Sequence, residues 1–155
     1  MPVAIVPVLE SEKALLWEKF QDYAQELTRY GTHERVDGVF EYPYFDLYWR
    51  EPDRHPFWAV VDGRRVAFAL VHRLNGVTEM AEFYSFPDNR RTGTALLFAQ
   101  AILERFPGPW ELTQYRTNEA AVAFWRRVIG ERPYTEDSYI GGSGIARLRQ
   151  TFTVG

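Results

Sequence analysis

The residues best suited to chemistry lie between Glu82 and Ala95, in the run Glu82-Phe83-Tyr84-Ser85-Phe86-Pro87-Asp88-Asn89-Arg90-Arg91-Thr92-Gly93-Thr94-Ala95. Their types suit an anion. Gly93 permits a tight turn and lets backbone N–H groups come close to a ligand, and Arg90 and Arg91 add positive charge. A helix opening at Thr92 would turn its unsatisfied N–H groups and the positive end of its dipole outward. Thr94 and Ala95 are small and keep side chains clear, so a diphosphate fits. A single glycine before a helix is also an ordinary turn. A P-loop is excluded, because no Gly-Lys-Ser/Thr follows. A Rossmann fingerprint is excluded as well, because its three glycines and downstream acid are missing.

The elements that must position this run can be read around it. Val3 to Val8 is a short apolar strand. Ser11 offers a cap to a long helix whose apolar positions are Leu15, Leu16, Phe20, Tyr23, Ala24 and Leu27, ending by Gly31. Thr32 to Pro56 reads as irregular, with a short helix at Phe45 to Arg50. Strands at Phe57 to Val61, Arg65 to Leu74 and Thr78 to Phe86 are joined by Asp62-Gly63 and Asn75-Gly76, both hairpin dipeptides, and form an antiparallel meander. A helix over Gly93 to Phe106, a strand over Trp110 to Tyr115 and a helix capped by Asn118 and ended by Gly130 come next. Strands at Tyr134 to Ile140 and Ala146 to Val154 close the chain. A strand–helix–strand unit after a meander implies a mixed α/β sheet with helices on both faces. The 155 residues read as one domain.

Composition narrows the chemistry. The chain has no cysteine, which excludes disulfides, thiolate metal sites and a cysteine nucleophile. His33, His55 and His72 have no metal-ligand spacing, so no metal is expected, and His55 reads as a loop residue. A net charge of −3 gives no footprint for nucleic acid. No apolar run reaches the roughly 18 residues of a membrane span, and the first ten residues lack a signal peptide's basic start. A soluble, cytoplasmic protein is expected.

Arg90-x-x-Gly93-x-Ala95 resembles the R/Q-x-x-G-x-G/A motif of the GNAT (GCN5-related N-acetyltransferase) superfamily, and Phe83-x-Ser85-x-Pro87 resembles the strand end before it. Asn118-x-x-Ala121-x-x-Phe124-Trp125 resembles the second motif of that family, at the family's spacing. The resemblance covers roughly Val60 to Ile129; the rest agrees in element order. It implies the GNAT fold, acetyl-CoA as cosubstrate, and direct attack by an amine without an acyl-enzyme. Phe83, Tyr84, Ser85, Arg90, Arg91, Thr92, Gly93, Thr94, Ala95, Asn118 and Trp125 are the implied CoA-binding residues. A splayed strand pair would offer the N–H of Ser85 or Tyr84 to the thioester oxygen. Glu79 and Glu82 are candidate bases, each equally readable as a structural ion pair. Tyr84 is a further catalytic candidate, and Tyr84, Tyr115, Tyr134 and Tyr139 are unranked candidate acids, because Trp125 stands where many members carry tyrosine and an indole N–H cannot serve as an acid. Trp125 reads first as core packing. The acceptor is expected to be a small-molecule or peptide amine, lying between Phe40–Trp58 and Tyr134–Tyr139, where Glu41, Tyr44, Asp46 and Trp49 would suit a cation. A homodimer is a further expectation. The competing readings are a non-catalytic acyl-CoA-binding module, which Trp125 favours, and a fold relative that binds no CoA, against which Arg90, Gly93 and Ala95 argue.

Overall fold

The computed structural model describes residues 2–31 and 33–155. Its frame is a seven-stranded sheet in the order β1-β4-β5-β6-β7-β9-β8. The strands are β1 (Ala4–Pro7), β4 (Arg54–Val61), β5 (Arg64–Leu74), β6 (Val77–Ser85), β7 (Gly108–Tyr115), β8 (Tyr134–Ile140) and β9 (Ala146–Val154). Every neighbouring pair is antiparallel except β6 and β7, which the crossover helix α2 (Thr94–Arg105) makes parallel. Asp62-Gly63 and Asn75-Gly76 have positive φ at both residues, as tight primed turns require, and they close β4 on β5 and β5 on β6.

Period-two alternation sorts the side chains of the sheet onto two faces. On one face Phe57, Ala59, Val71, Met80, Trp110, Leu112 and Phe152 pack against α2 and α3 (Glu119–Ile129). On the other, Trp58, Phe68, Leu70 and Tyr84 meet Leu16, Phe20 and Ala24 of α1 (Lys13–Leu27), with Phe45 and Tyr48 of a short 3-10 turn. The aromatic segment is thus largely core for this second layer.

Several boundaries differ from those the sequence implies. A 3-10 turn over Glu10–Glu12 leads into α1, closed by Glu12, which accepts a hydrogen bond from the Leu9 N–H at 3.0 Å; Ser11 lies inside that turn and does not cap the helix. Arg35–Val36 (β2) and Val39–Phe40 (β3) form a small ribbon around Asp37-Gly38, within the stretch expected to be irregular. β4 begins at Arg54, so His55 belongs to a strand and not to a loop. Pro56 is tolerated there because its carbonyl still accepts from the Val8 N–H at 2.9 Å, while the Val8 carbonyl opposite its missing N–H accepts from the Trp49 indole at 3.0 Å instead. Gly31 lies beyond the end of α1, and its importance is spatial: a Cβ there would sit 2.6 Å from Tyr115 Cζ. No helix among the described residues is long and apolar enough to cross a membrane.

Candidate active site

The site is made by a fault in the sheet. β6 pairs with β7 only at Thr78–Trp110 and Glu79–Glu111, after which the strands run on unpaired to Ser85 and Tyr115. Each is held from its outer side, β6 by β5 as far as Ser85 and β7 by β9 as far as Tyr115, so the gap does not close. A bulge in β6 starts the divergence. Leu70 faces Glu82 while Val71 faces Met80, leaving Ala81 as the extra residue. Such a bulge bends and twists its strand.

The bulge also decides which groups share the site. Glu79 and Glu82 are three residues apart and would point to opposite faces of a regular strand. With Ala81 inserted, both lie on the α1 face, Glu79 opposite His72 and Glu82 opposite Leu70. The Tyr23 hydroxyl of α1 donates to Glu82 at 2.9 Å. Burial pushes the Glu82 carboxyl up to about 7, against the Tyr23 and Tyr42 hydroxyls and the Arg147 charge, which favour its ionised form. Burial also raises Glu79, with help from Glu111. His72 Nε2 lies 3.7 Å from Glu79, but burial and the nearby Arg54 hold its imidazole below the usual range, which weakens any ion pair.

A cleft of about 1160 Å³ passes through this fault. One half is lined by Ser85, Asn89, Arg91, Gly93, Ala95, Asn118 and Phe124. Gly93 has φ 83° and caps α2, and a Cβ there would meet nothing within 4 Å, so its surroundings are open. The first-turn N–H groups of Ala95 and Leu96 have no acceptor within the helix. Ser85 Oγ and Asn89 Nδ2 are buried without a hydrogen-bond partner, although both residues border the cleft. Open space, free amides and two unpartnered polar atoms fit a diphosphate with an amide-bearing arm.

Phe86 donates its N–H to the Val66 carbonyl at 3.0 Å. By strand alternation the Tyr84 N–H also turns toward β5, whereas those of Phe83 and Ser85 face the gap.

The remaining candidates have specific surroundings. Arg90 is engaged: it donates to both Glu26 oxygens at 2.8 and 3.0 Å and to the Ser85 carbonyl at 3.2 Å. Arg91, at φ 65°, is exposed on the rim. Thr92 bonds Asn89 and Thr94 and shapes the turn. Tyr84 donates to Glu26 at 2.6 Å, and burial and that carboxylate raise its hydroxyl well above the usual phenol range. Asn118 accepts from the Ala121 N–H at 3.2 Å as the cap of α3. Trp125 is 8 % exposed and packs edge-on against Phe83 at 4.9 Å between ring centroids.

The other half of the cleft is lined by His33, Glu34, Glu41, Tyr42, Tyr44, Arg54, Tyr115, Tyr139 and Arg147. Asp46 and Trp49 are not part of the lining. Asp46 pairs with Lys13 at 2.6 Å, and the Trp49 indole donates to the Val8 carbonyl at 3.0 Å, because their 3-10 turn packs over α1. Tyr134 is also outside the lining. The sequence drew no attention to Tyr23, Glu26 or Arg147. Tyr23 resembles any apolar stripe position, and the one available sign of Arg147 is its two-residue spacing from Arg149, which puts both on one strand face.

A model of the acetyltransferase (GNAT) family matches residues 15–130, and the chain belongs to that family, whose members are acetyl-CoA-dependent N-acetyltransferases. No curated protein matches the chain by sequence. Solved structures share its fold at low identity. The aminoglycoside acetyltransferase AAC(6')-Ib with coenzyme A and kanamycin has a TM-score of 0.73 at 13% identity, over 98% of this chain and 95% of that one. Spermidine N-acetyltransferase from Vibrio cholerae with CoA and spermine gives 0.70 at 10%, over 97% and 95%. The ribosomal-protein-S18-alanine N-acetyltransferase from Escherichia coli gives 0.67 at 12%, over 99% and 95%.

Proposed function

We propose that the chain, acting as one domain over residues 1–155, transfers an acetyl group from acetyl-CoA to an amine of a small molecule or peptide, with Glu82 as the base. The observation that carries this is the place of Glu82: a half-buried carboxyl at the break between β6 and β7, accepting from the Tyr23 hydroxyl at 2.9 Å, with desolvation pushing it up to about 7. A base is most effective when its pKa is near the working pH.

The first-turn amides of α2, Gly93 and Arg91 would bind the diphosphate, and Ser85 and Asn89 would meet the rest of the cosubstrate along the gap. Acetyl-CoA supplies the activated acyl group. The amine nitrogen forms a bond to the carbonyl carbon, Glu82 takes the nitrogen's proton, and the carbon–sulfur bond breaks with the electron pair leaving on sulfur. The Ser85 N–H is our choice of donor to the carbonyl oxygen as charge builds there. Glu79 would hold the amine's approach from the far end of the gap.

Trp125 keeps the second reading, a non-catalytic acyl-CoA-binding module, in contention. The test is thermal unfolding with acetyl-CoA, followed by thiol release over a panel of amines. At a hundred times its dissociation constant a ligand adds about 2.7 kcal/mol. That stabilisation is expected in wild type and lost in a folded Gly93→Glu variant, whose carboxylate would repel the diphosphate. Stabilisation without thiol release from any amine supports the module. No stabilisation of wild type overturns both readings.

A further inference from the structure

One guanidinium on the acceptor side of the cleft stands out by how it is held. Arg147 lies on β9 opposite Tyr115 of β7, and its guanidinium carbon is 4.4 Å from the Tyr115 ring centroid. Two glycines adjoin this stack. At Gly31 a Cβ would collide with the hydroxyl end of Tyr115, 2.6 Å from Cζ and 2.7 Å from the hydroxyl oxygen, and at Gly141 a Cβ would come within 3.0 Å of Arg147 Nε. The Tyr115 hydroxyl is 2.8 Å from His33 Nε2, which fixes that same end of the ring. The two glycines therefore leave room for a packed Tyr–Arg pair that larger residues would push apart.

The charge of this pair is unspent. Arg54, Arg90 and Arg149 each have a carboxylate within 4 Å, at Glu51, Glu26 and Asp137. No such ion pair involves Arg147 among the described residues, although it lines the cleft and its field reaches Glu79 and Glu82. A half-buried guanidinium, stacked and oriented but without a counter-ion, presents planar paired donors matched to a carboxylate. With Glu82 as base for the amine, the acceptor half offers one site for an amine and a separate one for an anion.

We infer that Arg147, ordered by Tyr115, Gly31 and Gly141, binds a carboxylate carried by the acceptor, so that the preferred acceptors are amines bearing a carboxylate and not polyamines. This inference rests on the acetyl-transfer reading for the position of the amine; of the four residues expected to suit a cation, Glu41 and Tyr44 line the cleft and Asp46 and Trp49 do not. Arg147 is on this view a binding and specificity residue.

The experiment uses the full chain saturated with CoA and titrated, by NMR chemical shift, with glycine, β-alanine and 4-aminobutyrate, each against its own amide. Wild type should bind at least one amino acid about tenfold or more tightly than the amide, the contrast expected of a charge-assisted pair. The contrast should vanish in Arg147→Met, weaken in Gly141→Ala, which keeps the charge but shifts it, and be partly restored in Arg147→Lys. A residue that only tuned Glu82 would change amino acid and amide equally. Equal binding of every amino acid and its amide by wild type, or a contrast that survives in Arg147→Met, overturns the inference. Thiol release with acetyl-CoA separates the two claims. Binding contrast without release fails the transfer reading and keeps the anion site. Release with no preference for the carboxylate fails the inference alone.

Discussion

Replacing Glu82 by Gln should make the protein more stable at alkaline pH, and the size of the effect follows from the carboxyl's environment. The folded-state value is about 7, against an ordinary 4.5, and its first cause is burial. Because the folded-state value is the higher, the folded protein holds the Glu82 proton more tightly than the unfolded chain does. Between these two values the native state binds more protons, so stability falls as pH rises through that window and is flat above it. The gap corresponds to about 3 kcal/mol at most. Gln has nearly the same shape, can still accept from Tyr23 and has no charge to desolvate. The variant's stability relative to wild type should therefore improve between pH 5 and pH 8 by up to about 3 kcal/mol. In a domain of this size each 1 kcal/mol moves Tm by roughly 2–4 °C. Thermal unfolding of both proteins without ligand, at pH 5 and pH 8, measures it. Kinetics provide the second arm: wild-type kcat/KM should fall below about pH 7 as Glu82 protonates, and the variant should lose about 10²-fold or more. If the Tm difference between variant and wild type is the same at both pH values, Glu82 is not a desolvated carboxyl, and the case for it as a neutral-pH base fails.

Two further outcomes follow from local geometry. Gly31→Ala puts a Cβ against the Tyr115 ring, and overpacking of this kind costs about 1–3 kcal/mol; a lower Tm with a shifted Tyr115 ring resonance is expected, and an unchanged spectrum would contradict the packing. Asn118→Ala removes the cap on Ala121, at about 1 kcal/mol, which chemical denaturation should detect as a lower midpoint with an unchanged slope.

The sequence by itself determined the parts whose physics is local. Asp62-Gly63 and Asn75-Gly76 specify hairpins because the turn needs positive φ at both positions, and all four residues adopt it. The apolar periods of α1, α2 and α3, the Asn118 cap and the bounds of β8 and β9 were legible for the same reason, as was the Gly93 turn ahead of α2. Asp37-Gly38 carries the same turn dipeptide, but its flanking strands are two residues long, too short for any alternation to show.

Tertiary structure decided what the local pattern could not contain. Whether Glu79 and Glu82 share a face depends on Ala81, and an inserted residue is recognised only against the partner strand that skips it. Arg90 looks like a free cation until α1 brings Glu26 to it, 64 residues away in sequence. Asp46 and Trp49 look like a cation site until Lys13 of α1 and the Val8 carbonyl just past β1 take them up. The Tyr115–Arg147 stack needs four residues, Gly31, Tyr115, Gly141 and Arg147, drawn from three distant parts of the chain. Each of these depends on which elements pack together, and that choice is made by burial over the whole sheet and not by neighbours along the chain.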